Sequence, residues 1–180
     1  MKYILALLCS IILAACGDGG GGQANPIVID PGGQVVRVDL PYEYGLEIPT
    51  SGNRVTVATH NTVTYVLMSG TGNILNVEPF ALVRSMDISG SNNTVNLSNN
   101  VTVPIINVLG TNGIVNITDN DRVDQLSIVG SNAVVTIGTP TALVSRISLS
   151  GSNIVLKIPA GYQSQTTINN TGGNNTIQEF

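Results

Sequence analysis

From about residue 43 onward, apolar and polar side chains alternate in short blocks that return at a nearly constant interval. With the third residue of each Gly-, Ser- and Asn-rich turn as the mark, Gly52, Gly72, Asn92, Asn112, Asn132, Asn153 and Asn174 follow at steps of 20, 20, 20, 20, 21 and 21 residues. Three residues beyond the mark stand Val55, Leu75, Val95, Val115, Val135, Leu156 and Ile177, and five beyond it Val57, Val77, Leu97, Ile117, Ile137 and Ile158. The residues between these two columns are Thr56, Asn76, Asn96, Asn116, Thr136 and Lys157. Such alternation predicts a strand with one buried face.

The pattern recurs ahead of the mark. Ile48, Met68, Ile88, Val108, Ile128 and Leu149 form one column, and Leu46, Val66, Met86, Ile106, Leu126 and Ile147 a second. Val63, Val83, Val103, Val123 and Val144 form a single column that predicts a third wall. No stretch after residue 20 carries a helical period, and the enrichment in Val, Ile, Thr and Asn suits strands.

Strand, turn, strand also describes a hairpin, and a row of hairpins would make an up-and-down sheet or barrel. A hairpin does not need the same residue at the same place in every repeat. A parallel solenoid does, because each coil lies about 4.8 Å from the last and like side chains stack. The columns therefore predict an all-β fold, a right-handed parallel β-helix (solenoid) of six to seven coils of 20–21 residues and roughly 30 Å in length. The solenoid is placed at residues 46–180. Residues 27–45, which carry Pro31 and Pro41 and break the phase, are expected to cap its first strand edge, and the Asn169–Thr171 stretch is expected to give a polar, partly frayed last coil.

The residues before the domain read differently. Lys2, an apolar run from Ile4 to Leu13 and the small residues that follow form an export signal over residues 1–15, too short to span a bilayer as a mature helix. Leu13, Ala14, Ala15, Cys16 resembles the lipobox of bacterial lipoproteins, which implies acylation at Cys16, three acyl chains and attachment to a membrane. Gly17 after the cysteine is similar to lipoproteins passed on to the outer membrane rather than kept at the inner one. Residues 16–26, Gly-rich and poor in apolar side chains, are expected to be a flexible tether.

Processing at Cys16 removes Cys9 and leaves no free thiol for a disulfide, metal or nucleophile. The remaining chain has six basic residues against eleven acidic ones, a balance of −5, which argues against nucleic acid as a partner. Candidate chemistry is sparse. Asp119, Asp121 and Asp124 are the best group for a Ca²⁺ ion, without EF-hand spacing or repetition in adjacent coils, so a solvated acidic turn beside Arg122 is the favoured reading and no cofactor is implied. Pectate-lyase-like β-helices resemble the architecture, which makes a small polysaccharide-active enzyme the alternative function. Stacking nonetheless places Glu78 over Ser98 and Thr118, and Arg84 over Pro104 and Asp124, with no convergent acidic and basic groove.

His60, the single histidine, is expected on the surface, and Tyr42, Tyr44, Tyr65, Phe80 and Tyr162 look too dispersed to form a platform for sugar rings. Asn92, Asn112, Asn132, Asn153 and Asn174 are expected to form a ladder of stacked amides at a bend, each bonding the one above and below and satisfying buried polar groups there.

At the level of its Gly-Ser-Asn-Asn turn and the Val-polar-Leu or Ile strand that follows, the chain resembles bacterial exported repeat proteins that share a domain of unknown function. The resemblance covers roughly 46 to 177 and implies the fold and an exported location, with no catalytic residues. The expected role is that of a lipid-anchored cell-envelope solenoid with a structural or binding function, its partners the membrane through its lipid and an envelope protein or glycan.

Overall fold

A computed structural model describes residues 26–180, so the signal, Cys16 and nearly all of the tether lie outside the described residues. Every paired strand within that range is parallel to its neighbour. One sheet runs through Ile27–Val28, Tyr44–Glu47, Thr62–Met68, Ser85–Ile88, Ile105–Val108, Arg122–Ile128, Leu143–Leu149 and Thr167–Asn170. The other runs through Val35–Val38, Arg54–Val57, Ile74–Val77, Thr94–Leu97, Ile114–Ile117, Val134–Ile137, Val155–Ile158 and Thr176–Glu179. Because the chain alternates between the sheets, each pair of strands is one coil, and the molecule is a parallel β-solenoid of eight coils.

The register explains why the columns stay in phase. Ile106 pairs with Met86 on one side and Leu126 on the other, and Val115 with Val95 and Val135, so like side chains stand one above another. All five apolar columns point inward. Val55, Leu75, Val63, Val83, Leu46, Ile106 and Ile128 each retain 0 % of their accessible surface. The valines expected to make a third wall belong to the first sheet. Val63, Val123 and Val144 begin its longer strands, Val83 belongs to the short strand Leu82–Val83, and Pro104, which has no N–H to give, shortens the strand at Ile105.

The count of eight exceeds the expected six to seven because residues 27–45 supply a coil of their own. Ile27 pairs with Leu46, and Val36 with Val55, at a step of 19 residues instead of 20. The prolines and the shorter step conceal that coil in the sequence. The last coil is less frayed than expected: Ile168 pairs with Ile147 and Ile177 with Leu156. The other two inward positions of its two strands are polar, Asn170 opposite Leu149 and Glu179 opposite Ile158, and each is bonded within its own end of the rod, Asn170 to Asn175 at 2.9 Å and Glu179 to Gln163 at 3.0 Å. Polar groups at inward positions blunt an open strand edge.

The corner between the first and second sheets imposes the tightest constraint. A Cβ on Gly110 would lie 1.9 Å from the carbonyl oxygen of Gly90, and one on Gly130 would lie 1.8 Å from that of Gly110. Gly90, Gly151 and Gly172 are in the same position relative to the coil before them. Backbone stacks on backbone here, and only glycine leaves the space.

Candidate functional site

The two corners of each coil, where the backbone turns and polar groups gather, carry the chemistry of the molecule. At the first corner Asn92, Asn112, Asn132, Asn153 and Asn174 have φ between 55° and 57°, and Gly33, Gly52 and Gly72 take the same left-handed place in the first three coils with φ between 65° and 76°. Asparagine tolerates that conformation better than other side chains, which explains its use there.

These asparagines do not satisfy a buried bend, as the sequence led us to expect. They are exposed, and Asn112 Nδ2 donates a hydrogen bond to Asn92 Oδ1 at 2.9 Å and Asn153 Nδ2 to Asn132 Oδ1 at 3.3 Å. The buried ladder lies one residue later. Asn73 Oδ1 accepts the backbone N–H of Asn53, and Asn93 Oδ1 accepts that of Asn73, both at 2.8 Å. Asn93 closes its own account by donating to the carbonyl of Gly70 at 2.8 Å. The column continues as Gly113, Ala133 and Ile154, then returns to asparagine at Asn175, which accepts the N–H of Ile154 at 2.9 Å. The left-handed turn points the first Asn of each pair outward and the second inward.

Two further ladders run along the outside. Asn116, Asn96 and Asn76 are joined amide to amide at 2.8 and 2.9 Å, and Asn107 donates to Asp87 at 2.7 Å.

The second corner has its own left-handed column: His60, Phe80, Asn100 and Asn120, with φ between 58° and 64°. The residue after each turns inward as Asn61, Ala81, Val101 and Asp121. Asn61 accepts the N–H of Leu40 and the hydroxyl of Tyr44, both at 3.0 Å. Asp121 does the corresponding work with a carboxylate, accepting the N–H of Val101 at 2.9 Å and that of Thr118 at 2.7 Å. Burial without a cation pushes its carboxyl up to about 6. Near the last coil Tyr162 fills the corner, donating to the carbonyl of Ala142 at 2.7 Å and accepting the N–H of Val144 at 2.9 Å.

The three carboxylates of the calcium candidate are turned to different surroundings. Asp121 faces inward onto N–H donors, which compete with a cation for its oxygens, while Asp119 stays at the surface and Asp124 pairs with Arg122 at 3.3 Å. Among the described residues, no three His, Cys, Asp or Glu side chains converge as a metal site.

The two residues weighed for a lyase-like groove each have partners elsewhere. Glu78 bonds Arg37, two coils back, and accepts the N–H and hydroxyl of Thr59 at 3.2 and 3.1 Å; these contacts hold its carboxyl below the usual range. Arg84 reaches Glu43 at 2.7 Å. Both ion pairs span 41 positions of sequence and so skip a coil, and both are exposed enough to contribute little to stability.

The aromatics are less dispersed than the sequence suggested. His60 and Phe80, one coil apart, stack with ring centroids 5.3 Å apart and planes 10° from parallel. Beside His60, toward the first coil, is a depression of about 200 Å³ lined by Leu40, Pro41, Tyr42, Glu43, His60 and Thr62. A second depression of about 170 Å³ lies at the other end of the rod against Arg122, Leu143, Tyr162 and Gln165. The shared twenty-residue column of His60 and Phe80 was visible in the sequence, but the ring contact emerges only once the coils are stacked. No family model, no curated protein and no solved structure matches the chain.

Proposed function

We propose that the protein is a lipid-anchored β-solenoid of the bacterial cell envelope, with a structural or binding role toward an envelope protein or glycan and without catalysis. The observation that carries the reading is the way charged groups are used. Glu78 with Arg37 and Glu43 with Arg84 pair across a coil, Asp124 pairs with Arg122 beside it, and buried Asp121 is occupied by backbone N–H groups. Catalysis on a polysaccharide needs acids and bases converging on one groove with room for substrate. In this arrangement the acids and bases are instead engaged with one another or with backbone N–H groups.

The lipobox-like Leu13–Cys16 stretch supports anchoring at Cys16, and Gly17 supports delivery to the outer membrane. The resemblance to exported repeat proteins supports the same location. The proposed test is metabolic labelling with radioactive palmitate in wild type and Cys16→Ala, followed by separation of inner and outer membranes. Label lost in the variant and wild-type protein in the outer-membrane fraction are expected; equal labelling of both would overturn the anchor.

A further inference from the structure

We propose that the second corner of the first three coils binds a neutral pyranose ring at the depression beside the His60–Phe80 stack. This specifies the glycan partner of the binding role proposed above and rests on that reading for its biological context, though not on the lipid anchor. The argument begins with backbone conformation. His60 and Phe80 have φ of 61° and 64°. In the next two coils the same place belongs to Asn100 and Asn120. Asn and His enter this region comparatively often, but it costs an ordinary L-residue roughly 1–2 kcal/mol and is an outlier for a side chain such as that of Phe80.

The turn therefore closes well without an aromatic ring, and the rings fill no part of the core. Phe80 is 56 % exposed and Tyr42 47 % exposed. The stacking of His60 on Phe80 contributes only about 0.5–1.5 kcal/mol. A strained and exposed Phe80, stacked on an exposed His60, points to a site.

The surroundings select the ligand class. The depression of about 200 Å³ is below the roughly 300–1,000 Å³ of sites that enclose a drug-sized molecule, which suits one ring with the rest of its chain in solvent. Its walls combine apolar and aromatic groups, Leu40, Pro41, Tyr42 and His60, with the Thr62 hydroxyl and the Glu43 carboxylate. A pyranose has the matching character: C–H faces that pack on aromatic rings and a rim of hydroxyls that bond carboxylates and hydroxyls. Glu43 is already paired with Arg84 at 2.7 Å, and among the described residues no Lys or Arg lines the depression, so neither a phosphate nor an acidic sugar finds a counter-charge there.

The test uses full-chain protein in detergent micelles, probed with cello- and chito-oligosaccharides by saturation-transfer NMR. Saturation of ring C–H protons in at least one of the two series is expected. His60→Asn/Phe80→Asn replaces both rings with the residue already found at Asn100 and Asn120, so the fold is kept and the transfer is expected to fall about tenfold or more. Tyr42→Ala is expected to weaken it in the same direction. Absence of transfer with both series, or transfer unchanged in the double variant, overturns the proposal. Palmitate labelling reads the anchor separately, so either idea fails without the other.

Discussion

The side-chain oxygen of Asn93 accepts the backbone N–H of Asn73 at 2.8 Å, a bond between residues one coil apart in a corner closed to water. The strand ladders pair the backbone within each sheet, but at the corners the chain changes direction, and a side chain must supply the missing partner. Asn93→Ala removes that bond together with the one Asn93 donates to the Gly70 carbonyl, and Ala133 shows that alanine fits the column. The expected loss is about 1–3 kcal/mol, the cost of leaving buried backbone groups, the Asn73 N–H first among them, without their side-chain partner. Asn132→Gly, at the exposed position next to Ala133, is expected to cost only a few tenths of a kcal/mol because glycine takes the left-handed conformation freely. Urea unfolding of the two variants checks the order; equal losses would falsify the assignment of the buried ladder to the second Asn.

Backbone contact at the glycine corner makes a sharper prediction. Gly110→Ala places a methyl 1.9 Å from the Gly90 oxygen and 2.8 Å from that of Ser89. Neighbours on both sides prevent the coil from moving away, so a loss of about 2–4 kcal/mol is expected. Gly72→Asn is the companion: φ is 65°, nothing lies within 4 Å, and Asn92 occupies the same place one coil on. Its effect should stay within about 0.5 kcal/mol. Thermal melts of both proteins measure the contrast, and a well-tolerated Gly110→Ala would show that the coils have slack.

Asp121 predicts an unusual acid limb. Its carboxyl is raised from 3.8 to about 6 in the folded state, chiefly by burial, so the folded protein binds a proton more readily than the unfolded chain between those values. Stability from this group therefore increases as pH falls through about 6 toward 4 and stays reduced above about 6. Glu78 acts with the opposite sign. Its carboxyl is lowered from 4.5, mainly by the hydrogen bond with Arg37, and its contribution is lost only as pH falls below that value. Unfolding free energies measured from about pH 7 to about pH 4.5 should contain the rising component in wild type and lack it in Asp121→Asn. Parallel curves would assign the rise to another group.

The polar last coil predicts a change of association state. Asn170 and Glu179 occupy inward positions that hold Leu149 and Ile158 one coil earlier. Asn170→Leu/Glu179→Ile would present an apolar, unpaired edge on which another chain can add strands. Concentration-dependent association by light scattering is expected for the double variant beyond that of wild type under the same conditions. If the variant behaves as wild type does, the polar side chains are not what closes that end.

Much of the architecture was legible because strand periodicity is written directly into side-chain type. Val55, Leu75 and Val95 mark an inward column whether or not their neighbours are known. The corners were harder to read. Asn92 and Asn93 are the same residue side by side, and only the left-handed φ of Asn92 decides which of the two faces inward. The first coil was hidden by its shorter step and by Pro31 and Pro41. Asp121 resembled a metal ligand because its inward column reads Asn61, Ala81 and Val101, a set with no common chemistry until the coils are superposed. The ring stack of His60 and Phe80 was hidden by distance along the chain, twenty residues that become one step of the solenoid.

The glycine corner also determines where the chain can change length. From Glu47 to Arg54, from Ser127 to Val134, from Ser148 to Val155 and from Asn169 to Thr176, that corner spans the same seven positions. The second corner runs five positions from Ile117 to Arg122 but six from Ile137 to Leu143, and there the period passes from 20 to 21. Insertions are thus admitted at one edge of the rod and refused at the other. Lineages that elaborate this scaffold are expected to grow loops along the edge that carries His60 and Phe80, and elsewhere to lengthen it only by whole coils.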